Sequence, residues 1–288
     1  MSKAVLTYMR QPSATRLVLP PGACDAHVHV FGPAAIFPFS PDSAITPADA
    51  PKETLFALHR QLGITRCVIV QSLVHGFDNT VVEDAIRAGG GRYLGVALVP
   101  HDVSDAELQR LRAAGFRGVR FNFMPPLGQG ASVQQVVALT QRLAPLGLHL
   151  QVHFDGSLIH ELAPVLRQSA VPVVIDHMAR LDATLGENHA DFRALCALLE
   201  DPRFHVKLSG VDRVSPAAPY AEGVALARRL LQEFPERCFW GTDWPHPNHH
   251  HVPDDGQLVD LLAMIAPTLP ALEALLVHNP QHFYSFEA

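Results

Sequence analysis

The chain has 288 residues, 48% of them apolar and 17% charged, the balance of a folded protein with a substantial core. Its net charge of −6 comes from 28 acidic and 22 basic residues with no long block of either sign, which argues against nucleic acid or an anionic membrane as the main partner. Any anion site must therefore be local. The most apolar long stretch, 258–277, is broken by Asp260, Pro267, Pro270 and Glu273, so it reads as a packed helical segment and not as a membrane span. No export signal is visible at the N-terminus, which makes the cytoplasm the expected compartment. Cys24, Cys67, Cys196 and Cys238 are widely spaced and form no CxxC pair, as suits reduced core thiols.

After a polar tail over residues 1–21, short β-branched or apolar runs alternate with longer amphipathic ones, all within one expected domain over 22–288. The strand candidates are 24–30, 67–71, 93–99, 118–123, 148–154, 171–176, 205–209 and 238–242. Helical spacing marks 52–62, 80–88, 104–114, 133–143, 158–168 and 192–199 between them. Gly63, Gly115 and Gly147 are stop signals, and Ser104 with Glu107 reads as a capping box. Near-continuous apolar strands joined by helical crossovers imply a parallel sheet buried on both faces. Eight such units predict an α/β fold of the (β/α)8 TIM barrel type, and the first βα turn lacks the GxGxxG of a dinucleotide-binding sheet.

A barrel of this type carries its chemistry at the carboxyl ends of its strands. The first candidate strand ends in Asp25-Ala26-His27-Val28-His29, and alternation along a strand sends His27 and His29 to the same side. Two imidazoles so placed can bind one metal ion or polarise one carbonyl oxygen. Later strand ends add His153, His177 and Asp243. Trp240 and Trp244, flanking Asp243, read as core packing, and the interior run 249–251 of three histidines reads as a solvated loop.

The segments CDAHVHVFGP, VIVQSLVHG, GVRFNF, IDHMAR, KLSGVDR and GTDWPHPN resemble the 2-pyrone-4,6-dicarboxylate lactonase group of the amidohydrolase superfamily, and the likeness runs from Cys24 to Phe283. The resemblance implies a hydrolase of aromatic catabolism that opens a lactone on a small carboxylate-bearing metabolite, with Asp243 as the general base toward water. His27, His29 and His177 would stabilise the oxyanion as catalytic partners, either directly or by holding a metal together with Asp243. Ring opening with no required metal is the favoured form, with a single divalent ion such as zinc as the other. Arg120, Arg180 and Arg213 would grip substrate carboxylates, since guanidinium forks pair with them bidentately. His153, Ser72, His75 and Asn248 are further candidate substrate contacts. Two departures matter: the group's additional basic residue after GVRFNF is missing from Met124-Pro125-Pro126-Leu127, and its tyrosine on the fifth strand is replaced by His153. Two alternatives stay open, a metal-dependent decarboxylase of the same superfamily and a barrel that binds organic anions without turning them over.

Overall fold

The computed structural model describes residues 4–124, 130–249 and 251–287. It contains the eight expected strands in chain order, with helices between them: β1 (Cys24–Val28), β2 (Arg66–Val70), β3 (Tyr93–Leu98), β4 (Phe116–Asn122), β5 (His149–His153), β6 (Val173–Ile175), β7 (Phe204–Lys207) and β8 (Cys238–Phe239). This is the architecture of the (β/α)8 class. The missing basic position of the Met124–Leu127 segment falls at 125–127, outside the described residues, as does the middle histidine of 249–251. None of the described helices is long and apolar enough to cross a membrane.

The chain divides into two compact units, Met1–Leu98 with Trp240–Ala288, and Val99–Phe239. In the first, β1, β2 and β3 pair in parallel, with Cys67 opposite Tyr93 and Val70 opposite Val96. Helices α1 (Lys52–Leu62) and α2 (Thr80–Gly89) connect them. Gly63 closes α1 at φ 78°, a left-handed value that costs a glycine nothing. The described residues ahead of β1 form no helix or multi-residue strand, yet they are tied down: Ser13 bonds the Asp254 carboxylate, Arg16 pairs with Asp260 at 2.9 Å, and the Tyr8 ring packs on Trp244.

In the second unit β4 to β8 pair in parallel and in sequence order. Helices α3 (Asp105–Ala113), α4 (Val133–Leu143), α5 (Ile159–Leu166) and α6 (Ala190–Leu199) pack against the strands or each other, and the short α7 (Val211–Val214) precedes α8 (Ala221–Glu233). Ser104 caps α3 by accepting from Glu107 N–H, but the Glu107 carboxylate turns to Arg110 and leaves the reciprocal half of the box unmade. Ser132 and Gln135 make the full box at α4.

Alternation along these strands sorts two kinds of side chain. Val119, Phe121, Leu150, Val152, Phe204 and Val206 form an apolar row, whereas Arg120, Asn122, His149, Gln151, His153, His205 and Lys207 form a buried polar row on the opposite parity. Register completes the pattern, because Arg120 stands opposite Gln151 and Asn122 opposite His153. Several strands are shorter than the apolar runs suggest. The sixth ends at Ile175 and the eighth at Phe239, because the residues that follow leave the extended conformation to deliver polar side chains.

Candidate active site

In the first unit the end of β1 and the segment after β8 are bound together backbone to backbone. Ala26 N–H donates to Trp240 O at 2.8 Å, Asp243 N–H to His27 O at 2.8 Å, and His29 N–H to Trp244 O at 2.7 Å. Asp25 completes the clamp from beneath. Its Oδ1 accepts from the N–H groups of His27 and Thr242, and its Oδ2 accepts from Thr242 Oγ1 at 2.6 Å. Gly241 is required at the contact, since a Cβ there would lie 2.6 Å from His27 N and 2.9 Å from Asp25 Oδ1.

This clamp presents Asp243 in the left-handed region, at φ 66°, a costly conformation for a residue other than glycine and one that recurs at functional sites. Asp243 Oδ1 lies 3.6 Å from His27 Nε2 and 3.4 Å from His29 Nε2, with all three residues buried. His29 Nδ1 is 2.7 Å from Val70 O, and a carbonyl only accepts, so that nitrogen carries a proton. His29 Nε2 therefore meets the Asp243 carboxylate lone pair against lone pair unless a proton or a cation stands between them.

The donor set fits such a cation. Ligand atoms of His27, His29 and Asp243 all lie within 4.8 Å of one another, and two imidazoles with one carboxylate suit a zinc-type ion. The bond from His29 to Val70 O is the outer contact that orients a metal-binding imidazole.

The other sequence candidates of this unit have separate surroundings. Both His75 nitrogens are engaged by backbone, Nε2 by Gly32 N–H at 3.2 Å and Nδ1 by Pro38 O at 3.1 Å, and burial pushes its pKa down. Ser72 Oγ accepts from Val74 N–H at 3.3 Å, while Asn248 is exposed on a left-handed turn at φ 55°. Trp240 and Trp244 are buried, as expected of core packing.

In the second unit the turn after β6 is the unusual feature. His177, Met178, Ala179 and Arg180 all have φ between 49° and 56°, a left-handed turn without a single glycine. Each such residue costs roughly 1–2 kcal/mol, so the surrounding packing has to hold it. The turn delivers His177, whose Nδ1 sits 2.8 Å from Ser209 Oγ, and half-buried Arg180. Arg213 is half-buried on α7.

Arg120 and His153 are set into the polar row. Arg120 Nε donates to Asp176 Oδ2 at 2.7 Å, and Gln151 Nε2 donates to the same oxygen at 3.1 Å. Lys207 Nζ donates to Gln151 Oε1 at 2.8 Å and lies 3.8 Å from Asp176 Oδ1. His153 Nδ1 is 2.8 Å from Asn122 Oδ1, and its ring stands edge-on to His177 at 5.4 Å. Burial first, and then the charge of Arg120, holds the His153 pKa well below the ordinary imidazole range, with Asp176 opposing and Arg180 and Arg213 adding to the depression. His153 is thus a neutral imidazole among three guanidinium groups.

Asp25, Asn122, Gln151, Asp176, Lys207 and Ser209 take part in these clusters and were missed by motif reading. The signal that could have found them is parity: polar residues at 149, 151, 153, 205 and 207 share one strand face with 120 and 122 in segments otherwise too apolar to waste on solvent.

Comparison with known proteins shows which proteins the whole chain resembles. The amidohydrolase family model matches residues 24–286. A 2-pyrone-4,6-dicarboxylate hydrolase of Comamonas testosteroni is 42% identical over 290 residues, covering 97% of this chain and 95% of that protein. A 4-sulfomuconolactone hydrolase of Hydrogenophaga intermedia is 39% identical, covering 93% and 90% of the two chains. Among solved structures, the apo structure of an Agrobacterium tumefaciens protein superposes with a TM-score of 0.83 at 26% identity, covering 95% of this chain and 99% of that one. With the family model spanning all eight strands and the relatives matching over more than nine-tenths of the chain, this chain belongs to the amidohydrolase family.

Proposed function

We propose that this protein is a lactone hydrolase that opens a cyclic ester on a small acidic metabolite, with Asp243 as the base toward water. The observation that carries the reading is the buried contact of the Asp243 carboxylate with two imidazole nitrogens at 3.4 and 3.6 Å. The names of the two curated relatives describe hydrolases of a dicarboxylate and of a sulfonated lactone, and three arginines of this chain suit substrates of that charge.

The role given to each group of residues is the one that the family resemblance implies. Asp243 orients a water molecule and takes one of its protons as the water oxygen bonds to the lactone carbonyl carbon. Negative charge moves to the carbonyl oxygen, where His27 and His177 act as donors and His29, whose Nδ1 proton is committed to Val70 O, donates from Nε2 as the imidazolium. His177 can fill this role when Ser209 donates to its Nδ1, which leaves Nε2–H for the substrate. Collapse breaks the bond between the carbonyl carbon and the ring oxygen, and that oxygen leaves with the proton held by Asp243. Arg120, Arg180 and Arg213 hold the acidic groups, with His153 as a neutral contact beside them.

An ester carbonyl needs less activation than an amide, so the imidazoles suffice in this reading. A divalent ion such as zinc, held by His27, His29 and Asp243 with His177 as a further candidate, would polarise the same carbonyl as a Lewis acid.

The test is a panel of carboxylated lactones, assayed with and without chelator alongside metal analysis, on the wild type and Asp243→Asn. We expect ring opening by the wild type, and a turnover lower by at least ~100-fold in the variant with substrate binding nearly retained. Unchanged turnover in folded Asp243→Asn would remove the base from this role. Carbon dioxide release without lactone consumption would replace the hydrolase with a decarboxylase. Carboxylate binding without any turnover would leave only an anion-binding barrel.

A further inference from the structure

The Asp25 carboxylate is fully buried, and an ionised carboxylate offers about four lone-pair directions. Three are taken by the clamp: Oδ1 accepts from His27 N–H and from Thr242 N–H, both at 3.1 Å, and Oδ2 accepts from the Thr242 hydroxyl at 2.6 Å. The last is on Oδ2, and the buried His59 ring faces it from α1 with Nε2 at 3.6 Å. Among the described residues His59 is the one basic side chain within ion-pair distance of Asp25. Its backbone is fixed where the helix ends, because its carbonyl accepts from Gly63 N–H and from Ile64 N–H.

The other ring nitrogen decides where the imidazole proton lies. His59 Nδ1 is 2.8 Å from the Tyr93 hydroxyl, and the two rings stack at 5.7 Å. Burial, above all, raises the Tyr93 pKa, so the phenol keeps its proton. With Tyr93 O–H donating to Nδ1, the ring proton stands on Nε2 and is directed at Asp25. The opposite tautomer would set the Nε2 lone pair against a carboxylate and leave the Tyr93 proton without an acceptor among the described residues.

Asp25 also governs the chain on both sides of Asp243. The Thr242 hydroxyl that donates to Asp25 accepts from Trp244 N–H at 3.1 Å, and Asp243 N–H donates to His27 O at 2.8 Å. The left-handed φ of 66° at Asp243 is thus held between two residues tied to that carboxylate.

We propose that His59, oriented by Tyr93, is a positioning residue for the hydrolytic centre: its Nε2–H holds the Asp25 carboxylate in the rotation that sets Asp243 against His27 and His29. It touches no substrate, and it lies outside the segments that carry the family resemblance. The inference rests on Asp243 as the base, which is the reading given above.

The test compares His59→Leu, His59→Gln and Tyr93→Phe with the wild type and with Leu62→Ala, which removes buried packing from the same helix and leaves His59 in place. Two kinds of readout are used. The first is kcat and KM for a carboxylated lactone, per folded protein. The second needs no turnover: long-range proton–nitrogen NMR correlation shows which His59 nitrogen carries the proton, and hydrogen exchange follows the Thr242 amide. The wild type should carry the proton on Nε2. His59→Leu should lower kcat by about tenfold or more with KM within roughly twofold, as when an outer contact of a catalytic group is lost, and should speed exchange at Thr242. His59→Gln, whose amide can accept from Tyr93 and donate to Asp25, should recover most of kcat. Tyr93→Phe should move part of the proton population to Nδ1 and give an intermediate kcat.

A bare Nε2 in the wild type, unchanged kcat in folded His59→Leu, a rise in KM with kcat intact, or His59→Gln no better than His59→Leu would each overturn the inference. So would an equal fall in kcat for Leu62→Ala, since the effect would then belong to helix packing at large. Should His59→Leu fail to fold, Tyr93→Phe keeps the ring and decides alone, with unaltered kcat as the contrary result. Failure of the wild type to open any lactone would overturn the hydrolase reading; a proton on Nε2 with faster Thr242 exchange in His59→Leu would then leave the hold of His59 on the Asp25 clamp standing.

Discussion

Replacing His149 with leucine should change how the protein responds to acid more than it changes stability at neutral pH. An imidazole ordinarily titrates near 6.5, but in the folded chain burial beside Lys207 lowers His149 to about 3. The unfolded chain therefore takes up a proton there that the folded chain refuses. Stability from this residue is intact above pH ~6.5 and falls as the pH drops toward ~3, because the unfolded state binds more protons throughout that window. The slope is about 1.4 kcal/mol per pH unit, and the total loss is about 5 kcal/mol by the lower end. That total is comparable with the whole stability of many domains.

His149→Leu removes the titrating group from a site where the ring lies flat against Gly118, whose hypothetical Cβ would be 2.4 Å from it. Urea unfolding followed by the fluorescence of buried Trp240 and Trp244 gives the free energy for wild type and variant from about pH 7 to about pH 4. We expect the difference between them to shift in favour of the variant by about 1.4 kcal/mol per pH unit on acidification. A difference that stays constant across the range would refute the account, since it would mean that His149 titrates alike in both states.

Other perturbations probe other contacts. Arg120→Met should chiefly raise KM for carboxylated lactones, by about 1.5–3 kcal/mol in binding, and an equal effect on a neutral lactone would contradict its role. Gly241→Ala forces a Cβ into His27 N and Asp25 Oδ1, so it should cost roughly 1–3 kcal/mol of stability and displace Asp243; a variant with wild-type melting and turnover would contradict the clamp. Thiol reagents at neutral pH should leave Cys24, Cys67 and Cys238 unmodified in the native protein and react slowly at half-buried Cys196, whose thiol burial pushes up to about 11. Rapid native titration of all four would be inconsistent with this packing.

The sequence by itself determined the (β/α)8 class, because eight apolar runs separated by amphipathic ones admit few other parallel arrangements. It also determined the pairing of His27 with His29, since alternation along one short strand is a local property. The likeness to lactone hydrolases was legible too, because the motifs that carry it are contiguous. Only the tertiary structure decided the rest. Whether Asp243 meets those histidines depends on a clamp between residues 25–29 and 240–244, more than two hundred positions apart. That His177 and Arg180 ride on a left-handed turn contradicts local propensity, and packing around the turn has to hold it there. Lys207, Gln151 and Asp176 look like stray polar residues in apolar runs until β4 to β7 come into register. Charge compensation in a dry interior is settled by distance through space, and distance along the chain carries no trace of it.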